Sequence, residues 1–207
     1  MKIATLSFDD GDVTARAALK VLAAEGVSAT FYLPLSQFFG SGLTADEYAG
    51  HEIGAHTKTH RSLLALTYEE VRDEIEGCLP LLRCNTERPV RCFAYPYGLV
   101  PMNVEQVFED CGIAWARTVE TDATQTVQDR FRMGITCLLD RGTVAPVAEA
   151  TAGAGRPVHI VGHAWHLAKG DNMGLLERAI ALLKRHDYEI VPNAEYWDRL
   201  SHEGEAQ

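Results

Sequence analysis

The sequence predicts an α/β protein: one domain, built as a parallel β/α barrel of about seven strands. Three observations carry this prediction. Short runs rich in β-branched and aromatic residues alternate with helical patterns along nearly the whole chain, which implies a parallel sheet covered by helices. No linker or internal repeat interrupts the alternation, and at this strand count a closed barrel is favoured over an open sheet. The polar residues able to do chemistry fall just after strands, where a barrel gathers its loops into one mouth.

Each element has its own justification. Ile3–Phe8 reads as a strand, and Val13–Glu25 as a helix with Ala17, Val21 and Ala24 on one stripe and Gly26 as its stop. Ser28–Leu33 is a second strand, followed by a loop around Gly40 and Gly42, and Glu52–His56 is a third. Thr67-Tyr68-Glu69-Glu70 has capping-box spacing, so a helix starts there and continues through Val71, Ile75, Cys78 and Leu82. Arg91–Tyr95, Ile113–Arg117 and Val158–Gly162 are further strands, and Asn103–Cys111 is a helix capped by Asn103 and ended by Gly112. The helix Asn172–His186 precedes a last strand, Tyr188–Val191, which Pro192 ends. Residues 120–157 carry the weakest pattern, and the polar tail Ser201–Gln207 reads as frayed.

Composition excludes several function classes. The 207 residues are 46% hydrophobic and 23% charged, enough for a sizeable core. No window holds the ~18 apolar residues of a spanning helix, so no membrane role is expected. The N-terminus lacks a signal-peptide pattern, which makes a cytoplasmic location the expectation. The five cysteines, Cys78, Cys84, Cys92, Cys111 and Cys137, form no C-x-x-C and read as buried reduced thiols. A net charge of −10 with no basic block argues against nucleic acid. Oligomeric state is unreadable, and a homo-oligomer stays open.

Two short stretches concentrate the chemistry. His56-Thr57-Lys58-Thr59-His60 places two imidazoles at i and i+4, a spacing that lets both reach one metal ion. A carboxylate would complete a two-nitrogen, one-oxygen site with a position open for water, whose pKa a cation such as zinc lowers to ~7. Ordinary surface histidines are the plain alternative. Ser7-Phe8-Asp9-Asp10-Gly11 supplies carboxylates at the end of an apolar strand. Neighbouring residues leaving a strand project in opposite directions, so one aspartate can ligate while the other moves a proton. A tight turn, with Asp12 capping the next helix, also explains D-D-G, but not Asp9 at the very end of the strand.

With SFDDG and HTKTH in this order, and ATFYLPL between them, the chain resembles the polysaccharide deacetylase family. SFDDG is similar to its motif T-F-D-D-G and HTKTH to its motif H-[ST]-x-x-H, and the resemblance runs from about residue 3 to about 192. It implies a distorted parallel β/α barrel. It implies further that Asp9 is the catalytic base, while Asp10, His56 and His60 hold one divalent cation: zinc, or else cobalt, nickel, manganese or iron. The family motif R-x-P-Y is replaced by Phe93-Ala94-Tyr95-Pro96-Tyr97-Gly98, as in one branch of the family. Ala94 stands where the arginine that braces the base is expected, and Arg117 is the candidate replacement. By resemblance the Tyr97 backbone N–H helps stabilise the oxyanion.

No aspartate–tryptophan motif is recognisable, and Glu120, Asp122 and Asp140 each could orient the acid. Within HIVGHAWHL, His163 matches the family's late histidine, the general acid for the leaving amine, and is favoured over His166 because it directly follows the strand. Trp165 either walls the acyl pocket or is a rim aromatic. The activity implied is removal of an N-acetyl group, with an N-acetylated sugar or small amide as substrate. The rivals are hydrolysis of other C–N bonds without metal, O-acetyl ester hydrolysis, and a noncatalytic carbohydrate-binding relative.

Overall fold

The computed structural model describes residues 2–86, 89–121, 129–139, 144–170 and 172–205. In chain order the elements are β1 (Ile3–Asp9), α1 (Ala15–Glu25), β2 (Thr30–Leu33), α2 (Leu35–Gly40), β3 (Glu52–Ala55), α3 (Tyr68–Glu76), α4 (Leu79–Cys84), β4 (Cys92–Ala94), α5 (Val104–Cys111), β5 (Trp115–Thr121), β6 (Met133–Ile135), β7 (Cys137–Leu138), α6 (Val144–Gly153), β8 (Val158–His163), α7 (Ala164–Lys169), α8 (Met173–Arg185), β9 (Glu189–Ile190) and α9 (Asn193–Glu205). All described strand pairs are parallel, in the order β6-β5-β4-β3-β2-β1-β8-β7, with β9 added to the start of β1.

The two ends of that order meet in one segment. Met133–Ile135 pairs with β5, the chain passes Thr136, and Cys137–Leu138 pairs with β8. Thr136 N–H donates to His159 O at 2.8 Å and Leu139 N–H to Val161 O at 2.6 Å. One short stretch thus leaves one edge and joins the other, and the sheet curls into a nearly closed, distorted barrel of seven strand positions.

Strand alternation sorts the core into two layers. In β1, Ala4, Leu6 and Phe8 pack outward with Phe31, Leu33, Ile53, Phe93 and the helices. Ile3 faces inward with Tyr32, Cys92, Ala94 and Trp115. Thr5, Ser7 and Asp9 share its parity and are buried, so the barrel interior becomes polar towards its C-terminal mouth. The opposite end is closed by α9. Asn193 N–H donates to Thr30 Oγ1 and Asn193 Nδ2 to Tyr32 Oη, both at 2.9 Å, while Glu52 Oε2 accepts from Ala194 N–H at 3.0 Å. Burial raises the Glu52 carboxyl above its ordinary range.

Several boundaries differ from the sequence expectation for identifiable reasons. The helix expected to run from Thr67 through Leu82 breaks into α3 and α4. Pro80 has no N–H and its ring would meet the Glu76 carbonyl; it fits instead in the first turn of α4. The capping box at Thr67 and Glu70 is present, and Gly26 and Gly112 end their helices in the left-handed conformation. Asn103 precedes α5 at φ 57° without a side-chain cap. The segment after β2 holds α2 rather than only a loop, and α9 carries the polar tail as helix to Glu205 instead of leaving it frayed from Ser201. No helix among the described residues is long and apolar enough to cross a membrane.

Candidate active site and cation centre

The mouth is built by residues at or just beyond strand ends. The chain leaves β1 through two left-handed residues, Asp10 at φ 74° and Gly11 at φ 62°. Aspartate tolerates this conformation. At Gly11 a side chain is excluded by space as well, because a Cβ would lie 2.2 Å from Leu33 Cδ2. This turn separates the two carboxylates. Asp9 stays inside the barrel, its Oδ1 accepting from Arg117 Nη2, while Asp10 Oδ1 lies 3.2 Å from His60 Nε2 and 3.9 Å from His56 Nε2.

The histidine loop is held from several sides. His56 is buried at the end of β3 and its Nδ1 is 2.7 Å from Ala94 O, which fixes the tautomer with Nδ1–H donating. Its Nε2 lone pair therefore points to the mouth, 3.2 Å from His60 Nε2. Burial holds His56 well below the ordinary imidazole value, leaving it neutral. Thr57 and His60 both have positive φ, 69° and 63°, a conformation that costs a β-branched residue on the order of 1–2 kcal/mol. Compensating bonds surround them. Leu35 N–H and Ser36 N–H donate to the carbonyls of Thr57 and Lys58, each at 3.0 Å, and His60 N–H donates to Thr57 Oγ1 at 2.9 Å.

Glu74, buried on α3, is a positioning residue that the sequence reading missed. Its Oε2 accepts from Lys58 N–H at 3.1 Å and Thr59 N–H at 2.8 Å, and its Oε1 accepts from Thr59 Oγ1 at 2.5 Å. The only trace in the sequence is an acidic residue beside Ile75 on the inward stripe of a helix. A charge there signals a buried partner.

The donor set fits a divalent cation. Asp10, His56 and His60 each offer one atom, and these atoms lie within 4.8 Å of one another. Among the described residues Asp10 Oδ1 is buried with no hydrogen-bond partner, an arrangement a ligand would satisfy. Two imidazole nitrogens and one carboxylate oxygen suit zinc and the neighbouring transition metals better than magnesium or calcium. Asp10 Oδ2 accepts from Trp165 Nε1 at 2.8 Å.

Asp9 sits beside this centre and has different partners. Burial alone would raise its carboxyl, but Arg117 first, with His56 and His163, reverses the effect and holds it below the ordinary carboxylate value. Arg117 is itself buried, stacked 4.6 Å from the Tyr32 ring centroid. In the sheet register Ala94 and Arg117 are partners. The guanidinium thus approaches from the strand next to the one where the family motif places it. β5 does not end there, as the sequence reading had it, but runs on to Thr121.

His163 ends β8 in register with Asp9, and its ring lies 5.4 Å from that of Trp165. His166 lies further along α7, its ring 5.3 Å from that of Trp165. Tyr97 is exposed in the turn after β4 at φ 60°, its ring 5.1 Å from His60. No acceptor among the described residues takes its N–H. Glu120 is exposed on β5, and Asp122 and Asp140 lie outside the described residues. Asp9, Asp10, His56, His60, Tyr97, Arg117 and His163 therefore line one mouth.

Comparison with known proteins agrees with this fold. A CE4-family pseudoenzyme from Bacillus anthracis superposes with TM-score 0.69 at 18% identity, covering 94% of this chain. The chain spans only 64% of that longer protein. A peptidoglycan N-acetylglucosamine deacetylase gives TM-score 0.71 at 20% identity, covering 94% of this chain and 87% of that one. A family 4 acetyl xylan esterase from Clostridium thermocellum, solved with a cobalt ion, gives 0.63 at 20% identity, covering 94% and 89%. No curated protein sequence matches the chain. A family model described as polysaccharide deacetylase matches residues 1–116, more than half of the chain and all of the candidate cation ligands; the chain belongs to the polysaccharide deacetylase family.

Proposed function

We propose that this protein is a divalent-cation-dependent hydrolase that removes an N-acetyl group from an amino-sugar-containing substrate. One observation carries the reading: a cation-type donor set, Asp10, His56 and His60, stands beside a second carboxylate, Asp9, that takes no part in it and is held ionised by Arg117. A pseudoenzyme would have no need to maintain both. Asp10, His56 and His60 would hold the cation, whose chemistry when bound would be to acidify a water and polarise the acyl carbonyl.

The residues of the chain divide the remaining work. Asp9 accepts a proton from the attacking water as the new C–O bond forms, and Arg117 keeps Asp9 in the form able to accept it. The Tyr97 N–H is the donor for the oxygen of the tetrahedral species. His163, in register with Asp9, donates a proton to the nitrogen as the C–N bond breaks, leaving acetate and a free amine. An amine leaving group needs that proton more than an alcohol does, which favours amide over ester. Zinc is the cation that suits the set best. Ester hydrolysis, the activity named for the Clostridium thermocellum relative, is the second reading.

The test is acetate release from N-acetylglucosamine oligomers, nucleotide-linked N-acetyl sugars and O-acetyl esters, measured for the metal-stripped protein and after zinc is restored. Zinc-dependent release from an N-acetyl sugar is expected. Release from esters alone overturns the amide assignment, and equal release without zinc overturns the cation.

A further inference from the structure

We propose that Trp165 is a positioning residue for the cation site: its indole N–H fixes Asp10 as a ligand through one oxygen only. This rests on the cation reading above and goes beyond it, because it assigns a group that acts on a ligand rather than on the cation. A carboxylate can grip a cation with either oxygen or with both. Trp165 Nε1 donates to Asp10 Oδ2 at 2.8 Å, which engages that oxygen. Oδ1 is left facing His60 Nε2 at 3.2 Å and His56 Nε2 at 3.9 Å, without a hydrogen-bond partner among the described residues. The indole thus settles which oxygen of Asp10 meets the two imidazoles. Groups in this position typically matter to the metal nearly as much as the ligands themselves.

The fold explains how a residue 155 positions away reaches Asp10. β8 lies beside β1, so the segments leaving both strands emerge together at the mouth. His163 is the residue at which β8 ends and α7 begins, and Trp165 lies in the first turn of that helix. One strand-to-helix junction therefore carries both the candidate acid, at the end of β8, and the group that orients a ligand, in the first turn of α7. Trp165 remains 40% exposed, so its ring also forms part of the wall that substrate meets.

The experiment uses the full-length protein stripped of metal, wild type beside Trp165→Phe and His60→Ala. Trp165→Phe keeps an aromatic ring and removes the N–H. Zinc affinity is measured by competition with a chromophoric chelator, and the visible spectrum of the cobalt(II)-loaded protein reports the ligand arrangement. Trp165→Phe is expected to bind zinc about 10–100-fold more weakly and to shift the cobalt bands, with an unchanged urea midpoint in the absence of metal. Wild-type zinc affinity and cobalt spectrum in Trp165→Phe, with binding lost in His60→Ala, overturn the role of Trp165 and leave the cation site standing. A wild-type protein that binds no zinc or cobalt overturns both together.

Discussion

The ion pair between Arg117 and Asp9 is the interaction whose removal has the most calculable effect. Both side chains are almost wholly buried, with relative exposures of 3% and 5%. Substituting Arg117→Met leaves the Asp9 carboxylate desolvated without its main compensating charge, and breaking one side of a buried pair costs about 3–5 kcal/mol. Asp9→Asn strands the guanidinium and costs a similar amount, although the Tyr32 ring 4.6 Å away offsets part of it. With total stability of a domain typically about 5–15 kcal/mol, each single variant is expected to unfold at clearly lower urea. The double variant removes both charges at once. Its loss is expected to fall short of the sum of the singles by about 2 kcal/mol or more. Urea denaturation in chelator, followed by far-ultraviolet circular dichroism, measures all four proteins without a contribution from cation binding. Single-variant losses that add to within ~0.5 kcal/mol would show that the pair is not energetically coupled, and the account of how Asp9 stays ionised would fail.

Three further outcomes are expected. Asp9→Asn should retain zinc yet release acetate roughly 10²–10⁴-fold more slowly; turnover at the wild-type rate would remove Asp9 from the role of base. Glu74→Ala orphans the N–H of Thr59, worth about 1–3 kcal/mol when buried unpaired, while Lys58 N–H loses the carboxylate but keeps the Glu74 backbone carbonyl at 2.9 Å. Calorimetry should register a lower melting temperature and weaker zinc binding, whereas loss of stability with undiminished zinc affinity would show that Glu74 does not shape the ligand loop. Finally, His56 is held below its ordinary value by burial, down to about 4, whereas in the unfolded chain it titrates near ~6.5. The unfolded state therefore takes the proton first on acidification. Metal-free stability is expected to be full above ~6.5 and to fall through the window below it, with a slope of at most ~1.4 kcal/mol per pH unit from this group. A urea midpoint that stays level from neutral pH to about pH 5 would contradict it.

The barrel was legible because its strands announce themselves as apolar runs bounded by glycine, proline or acidic residues, and because helix stops such as Gly26 and Gly112 are local chemistry. The pair Asp9-Asp10 and the two histidines were legible for the same reason: each motif is contiguous. What sequence could not display is partnership across long separations. Arg117 could be nominated only as a nearby arginine, since its registry with Ala94 exists only once β4 and β5 pair. Glu74 and Trp165 looked like a helix acid and a rim aromatic until the fold brought them to Thr59 and Asp10. The break at Pro80 was readable from proline chemistry alone, but the apolar periodicity across it masked the interruption. β6 and β7 are three and two residues long, too short to carry a periodic signal.

That abbreviated pair of strands has a mechanical consequence. The wall between β5 and β8 consists of one extended stretch that changes neighbours at Thr136, with an irregular register against β5. Every other join in the wall is a direct ladder between two strands. Arg117 stands on one bank of this seam and His163 on the other, whereas Asp10, His56 and His60 leave β1 and β3 on firmer ground beyond it. Strain at the seam would part His163 from Arg117 while the candidate ligands Asp10, His56 and His60 kept their spacing, and His163, laddered directly to β1, would move with Asp10 rather than with the guanidinium.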